Sequence, residues 1–478
     1  MTTTEVADIV VVGFGGAGAA AAITAHDHGA SVLVLEKAED GGGSTGVSGG
    51  NIRLINDTGG AVEHFSALVG AGTPRESVEA YVAGLGELIG WLAECGAELV
   101  PHDQYSDQAL AVVRPGSAFP DVPHAEALGS RVQVARAPGV TGGEAIWEVL
   151  SRNVIKRDIP VRYHARVERL CWNDSHDRIV GVEVRNGRST RRVEARRGVV
   201  LACGGFNYGH DVHRDLFGTE LPAYSRPDRN TGDGIRLAQD VGASIWHLTA
   251  IAARFGYKFP EYEAGFTCQP PAQGLFVTDQ DGRRYFDEAG VDMHAAGRCM
   301  LERDTKTGRL RRIPSYLIFD ETTRLAGPIC VITSGNNRGF EWSEDNSAEV
   351  ERGWIQRAGT LAELATKLGI PPANLERTAA VYNETAVAGG DEFGRRPEFM
   401  EPLAPPFYGV ALYPVLLNTQ GGPRRNARAE ILDVRGRPIP GLYGAGELGS
   451  MWGPLYPGAG NLSEALITGR NAVRSALG

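Results

Sequence analysis

Apolar residues fall into two rhythms along this chain. Ile9-Val-Val-Val12 is an unbroken apolar run, then come Gly13-Phe-Gly15-Gly-Ala-Gly18 and an alanine-rich stretch to His28. This predicts a buried strand, a glycine turn and a helix ending at Gly29, with a second strand over Val32–Leu35. Tyr81-Val82, Leu85, Leu88-Ile89 and Trp91-Leu92 keep helical spacing, so a helix runs from Thr73-Pro74 to about Cys95. A further helix is predicted over 144–154, and strands over 161–167, 179–184, 192–195 and 199–203. Residues 101–142 keep neither rhythm and read as irregular. Helices are expected from Asp233, over Leu361–Leu368 and from about Asn461. The two ends alternate strand and helix, whereas the middle is richer in charge. The fold class predicted is therefore α/β: a Rossmann-like domain (1–250 and 401–478) interrupted by an inserted α+β cap domain (251–400). A ligand is expected where the two meet.

The first turn carries chemistry. Gly13 permits a tight turn, Gly15 and Gly16 let a pyrophosphate approach the backbone, and Gly18 lets helix and strand pack closely. Glu36 follows the second strand, eighteen positions beyond Gly18, and suits ribose hydroxyls. The helix N-terminus favours the phosphate charge. Together these predict a dinucleotide site.

Composition narrows the rest. Glycine is unusually common, 63 of 478 residues, and clusters between apolar strands as turns do. The net charge of −10 argues against nucleic acid or an anionic membrane as partner. No apolar run reaches membrane-spanning length, and no signal peptide is read at the N-terminus. The six cysteines form no CxxC pair, which predicts reduced thiols, a cytoplasmic location and no metal site.

Six motifs occur in a telling order: the first unit, Val200-Leu-Ala-Cys-Gly-Gly-Phe206, Asn230-Thr-Gly-Asp-Gly234, Gly282-Arg-Arg-Tyr-Phe-Asp-Glu288, Thr419-Gln-Gly-Gly422 and Gly441-Leu-Tyr-Gly-Ala-Gly-Glu447. The set resembles the flavoprotein family of fumarate reductase and 3-ketosteroid dehydrogenase, over nearly the whole chain. The resemblance implies FAD extended across the first domain. Glu36 and Lys37 would then lie near the adenosine ribose. The loop holding Gly43, Ser44, Thr45, Ser48, Gly49 and Gly50 would meet the pyrophosphate and ribityl chain. Val167 would meet the adenine, and Ala202, Cys203 and Gly204 the adenosine side. Asn230 and Asp233 would serve the ribose, Gly446 and Glu447 the ribityl chain. The Asn461 and Leu462 amides would point at the flavin N1/O2 edge, where a helix N-terminus stabilises negative charge. Covalent members carry a histidine in the loop 41–50; none is there, so the FAD is expected to be non-covalent.

Tyr456-Pro-Gly-Ala-Gly460 is similar to the YPGxG of the ketosteroid branch. The resemblance implies that the Tyr456 hydroxyl and Gly460 N–H grip a ketone oxygen, although the same residues also fit a tight turn. The proton-transfer position counts to Asp292, which equally fits an N-cap before Met293. His294 and Tyr105 are further proton carriers. The arginines and histidine that clamp a dicarboxylate are missing, with Asn418 at the histidine's place. The expected function is desaturation α,β to a cyclic ketone, a steroid or a small oxocyclohexane compound, with an unidentified electron acceptor. The rivals are reduction of an activated alkene, and flavin electron transfer without small-molecule turnover.

Overall fold

The computed structural model describes residues 5–105, 119–186, 189–330, 335–337 and 339–478. Its main sheet runs in the order Glu430–Leu432, Pro438–Gly444, Ser189–Leu201, Glu5–Val12, Val32–Leu35, Val161–Arg162. The four central pairings are parallel, with Val10 opposite both Leu33 and Val199. Parallel strands need helical crossovers, and these cover the faces. Helix Gly16–Asp27 is buried on nearly all sides because Ala19–Ala22 present no bulk to resist close approach. A Cβ on Gly469 of the last helix, Gly460–Leu477, would stand 2.3 Å from the Ala17 carbonyl oxygen. The first and last helices therefore pack backbone to backbone on one face of the sheet.

A second sheet is wholly antiparallel, ordered Phe266–Thr267, Ile251–Tyr257, Phe407–Thr419, Ser315–Asp320, Leu275–Thr278. Phe276, Ile318 and Phe407 pack beneath the helices Leu361–Leu368 and Pro372–Ala388. The strand Phe407–Thr419 lies past residue 400, yet it is the spine of this sheet, and its end at Thr419 reaches the main sheet's ligand cleft.

Several expectations are corrected. Residues 101–142 are not all irregular. Leu128–Val134 is a strand between Ile52–Ile55 and Leu99–Pro101 in a third, small sheet. The stretch 161–167 is not one strand, because Val161–Arg162 joins the main sheet and Val167–Trp172 pairs instead with Ile179–Asn186. The stretches 192–195 and 199–203 belong to one strand, Ser189–Leu201. No α-helix starts at Met293; turns lead into a 3₁₀ segment, Ala296–Leu301.

The antiparallel unit is pinned by a buried charge cluster from the Gly282–Glu288 motif. Glu288 takes Arg284 at 2.7 Å and Arg395 at 3.3 Å, and accepts the Val277 amide at 3.0 Å. The Arg395 side chain has no exposure to solvent. Removing one partner of such a cluster leaves buried charge uncompensated, which costs about 3–5 kcal/mol. Glu288→Ala is accordingly expected to shift the urea unfolding midpoint of this unit downward, whereas the exposed Arg75→Ala should leave it within about 0.5 kcal/mol; denaturation followed by tryptophan fluorescence, with Trp342 and Trp354 in this unit, checks both.

Candidate active site

A cleft of about 1020 Å³ opens at the carboxyl ends of the parallel strands. Gly13, Gly15 and Gly16 form its floor, with Glu36, Lys37, Gly43, Ser44, Thr45 and Ser48 beside them. Val167, Ala202, Cys203, Gly204, Asn230, Asp233, Gly446, Glu447, Asn461 and Leu462 complete most of the wall. Gly13 has φ +106°, and a Cβ there would stand 2.4 Å from the Ala202 oxygen. At Gly15 the nearest atom to a Cβ is 3.7 Å away, so that backbone faces open space. The N-cap of helix Gly16–Asp27, Gly15, offers no side-chain cap; the Gly16 amide donates to the Thr45 hydroxyl at 3.1 Å, and the helix N-terminus behind it favours an anion.

Gly49 and Gly50 are predicted contacts that do not line the cleft, and Gly18, counted with the cofactor site for its packing role, does not line it either. A Cβ on Gly18 would meet the Gly13 oxygen at 2.0 Å, and one on Gly50 would meet the Gly142 carbonyl carbon at 2.2 Å. They are there for close packing, Gly18 within the turn and Gly49-Gly50 against the start of helix Gly142–Lys156. Trp147 of that helix lies against Gly41 and Gly42 and meets Phe14 edge-on at 4.9 Å, so it shapes the glycine loop from outside.

Three carboxylates in the cleft are held differently. Glu36 accepts the Phe14 and Ala38 amides at 2.8 and 2.9 Å, which leaves lone pairs on both oxygens for hydroxyls. Asp233 takes Lys37 at 2.8 Å and Arg166 at 2.8 Å. Burial would raise its pKa, but the charge of Lys37 and its hydrogen bond, then Arg166, bring it below the ordinary value. Glu447 has no cation partner among the described residues. It accepts the Thr419 amide at 2.9 Å and hydroxyl at 3.2 Å, and burial pushes its pKa up to about 7. Asn230 stands between, donating to Ser44 at 2.7 Å and Glu447 at 3.4 Å.

Sequence reasoning missed Arg229. It lines the cleft, pairs with Asp40, lies 3.7 Å from Glu36, and leaves Nε and Nη1 buried without a hydrogen-bond partner. Its only signal was its place beside the Asn230 motif. Two guanidinium nitrogens without hydrogen-bond partners, open glycine backbone and acceptors suited to hydroxyls fit FAD.

Past Asn461, the last helix opens onto a second constellation. Tyr456 is buried, and its hydroxyl accepts the Gly460 and Asn461 amides, each at 3.2 Å. Both lone pairs are thus filled, and the phenolic proton has no acceptor among the described residues. This corrects the two-donor expectation. The Gly460 amide backs the phenol and is not itself free, and the Asn461 amide is engaged in the same way. Burial pushes the Tyr456 pKa up to about 12, against the pull of those amides, so the group is a neutral donor near pH 7.

His294 packs edge-on to Tyr456 at 5.2 Å and fills the space beside Gly458. Its Nδ1 is 3.2 Å from Asp292 Oδ1, which also accepts the His294 amide at 2.8 Å. Asp292 therefore orients His294, and Nε2 makes no hydrogen bond within the described residues. Tyr456, Gly460, Asp292 and His294 are brought together. Tyr105 ends a short 3₁₀ turn, His102–Tyr105, and its side chain lies outside the described residues.

Residues 8–462 match the FAD binding domain family, and the chain belongs to it. It is an FAD-dependent oxidoreductase of the kind acting on CH–CH groups. A 4-oxocyclohexanecarboxylate 2-dehydrogenase from Sinomonas cyclohexanicum is 27% identical, over 96% of this chain and 91% of the relative. A probable fumarate reductase from Shewanella frigidimarina is 24% identical, over 99% of this chain and 76% of its own. Among solved structures, 3-ketosteroid delta1-dehydrogenase from Sterolibacterium denitrificans has the same fold, with TM-score 0.84, 23% identity and coverage of 99% and 100%. Among the described residues, no helix is long and apolar enough to cross a membrane.

The raised pKa of Glu447 has a stability consequence with a definite sign. A carboxyl that titrates near 7 folded and near 4.5 unfolded holds its proton more tightly in the folded state. Its penalty is absent below pH 4.5, grows as pH rises towards 7, and is complete above, at most about 3 kcal/mol. Glu447→Gln should therefore stabilise flavin-free protein at pH 8 and leave it unchanged at pH 4.5; urea titrations at the two pH values read the difference.

Proposed function

We propose that this protein desaturates a cyclic ketone between its α and β carbons. The observation that carries the reading is the Tyr456 hydroxyl, whose acceptor positions are filled by backbone and whose proton has no acceptor among the described residues. A phenol donating to a ketone oxygen stabilises the enolate that develops as the α-proton leaves. The Gly460 and Asn461 amides polarise that phenol from behind. His294 takes the α-proton on Nε2, while Asp292 holds Nδ1 and stabilises the imidazolium. FAD, when bound, supplies acceptance of the hydride from the β-carbon, so an α-proton and a β-hydride leave and a C=C bond remains. Turnover then requires an external electron acceptor. The relative acting on an oxocyclohexane carboxylate, and the shared fold with a ketosteroid dehydrogenase, support a ring ketone over a simple dicarboxylate.

The loop 41–50 carries no histidine, which supports non-covalent FAD. The six free cysteines support a reducing, cytoplasmic setting.

Mixed anaerobically with saturated 3- or 4-oxocyclohexyl compounds, the protein should lose its flavin absorbance and release the enone. Tyr456→Phe is expected to slow that bleaching by roughly 10²–10³. His294→Asn should slow it by roughly 10²–10⁴. Wild-type bleaching rates in both variants would dismiss the mechanism. Reoxidation of the dithionite-reduced protein by fumarate, without bleaching by any ketone, would favour the reductase.

A further inference from the structure

The small sheet puts two cations face to face. Arg53 and Arg131 are direct cross-strand partners in the antiparallel pair Ile52–Ile55 and Leu128–Val134. Like charges so placed destabilise a sheet. Arg53 is only 7% exposed and Arg131 is half-buried. Three other buried arginines are neutralised, Arg425 by Glu464 and Arg284 and Arg395 by Glu288. Arg53 and Arg131 have no ion pair among the described residues. Arg53 donates to the Pro457 carbonyl at 3.2 Å, and its Nε is buried without a partner. Burial and the charge of Arg131 lower its pKa, while Tyr81, Tyr456 and Asp292 act in the opposite direction. Asp292 acts on it through space, while its Oδ1 accepts from His294. A buried cation beside Pro457 with no ion pair among the described residues, facing a second, half-buried one, is costly unless an anion completes it.

We infer that the substrate is a cyclic keto acid whose carboxylate binds Arg53, with Arg131 behind it, while its ketone oxygen meets Tyr456. This rests on the reading of Tyr456 given above. A guanidinium binds a carboxylate through paired N–H donors and fixes its orientation as well as its charge. Arg53 touches the residue next to Tyr456, so both anchors belong to one wall of the site. Ring and carboxylate are thereby held in one orientation towards His294. The positive pair selects acids over neutral ketones of the same shape.

The test compares 3- and 4-oxocyclohexanecarboxylate with their methyl esters in anaerobic flavin reduction. Cyclohexanecarboxylate, which has no ketone, is titrated separately through its perturbation of the flavin spectrum. The wild-type protein should favour an acid over its ester by about 10² in kcat/KM, and Arg53→Gln should cut that preference below about tenfold, with the loss in KM. Arg53→Lys should retain part of it. Flavin content and melting temperature report whether each variant is folded. If Arg53→Gln does not fold, Arg131→Gln and Arg53→Lys decide by the same ratio. Equal use of acid and ester by wild type, or wild-type KM for the acid in folded Arg53→Gln, would overturn the inference. Should no cyclic ketone bleach the flavin, the desaturase reading fails, and the cyclohexanecarboxylate titration judges Arg53 alone. Binding that Arg53→Gln abolishes upholds the anion site; no binding, or binding indifferent to Arg53, rejects it.

Discussion

The carboxylate of Glu464 is the interaction on which the site depends. It sits one turn into the last helix, wholly buried, and receives Arg425 at 2.6 Å, the Met451 amide at 2.8 Å and the Ser450 hydroxyl at 2.6 Å. Arg425 in turn donates to the Gly446 and Leu448 carbonyls at 2.9 and 2.8 Å. One satisfied ion pair thus ties together the loop carrying Glu447, the turn approaching Tyr456 and the helix start carrying Asn461. A buried pair gives little net stability, because desolvation offsets the attraction. What it supplies here is a fixed relation between the wall of the cleft and the Tyr456 hydroxyl.

Local pattern was enough for part of this. The strand, glycine turn and first helix were legible because a buried parallel strand is apolar throughout and Gly13 requires a positive φ. Leu361–Leu368 and the helix at Asp233 were legible from spacing and breakers. The motif order gave the flavin family, and with it most residues of the cleft wall. What escaped depends on partners distant in sequence. Leu128–Val134 is a strand only because Ile52–Ile55 and Leu99–Pro101 lie on either side of it. Its own residues carry arginine and glutamine at alternate positions, which hides the buried side. Arg53 sits in an ordinary apolar alternation, and nothing local says that another arginine lies opposite. Arg229 and the engagement of the Gly460 amide likewise exist only in three dimensions.

The acids of the site show how one cleft can hold carboxyls in different states. Asp233 stays ionised between two cations near the exposed mouth. Glu447 lies deep among Thr419 and Asn230 with only neutral donors, and burial moves its titration towards neutral pH. Asp292, outside the lining of that cleft, is hydrogen-bonded to the His294 ring. The environment, not the residue type, assigns each its part.

The strands Ile251–Tyr257 and Phe407–Thr419 leave the cleft side by side, paired from Ile251 and Thr419 outward. Two chains laced together in this way behave as a stiff ribbon and not as a pair of slack tethers. Any swing of the antiparallel unit must pull on Thr419, whose backbone and hydroxyl both hold Glu447. The ribbon and the seat of Glu447 thus form one continuous piece, so a substitution that strains either is felt by the other.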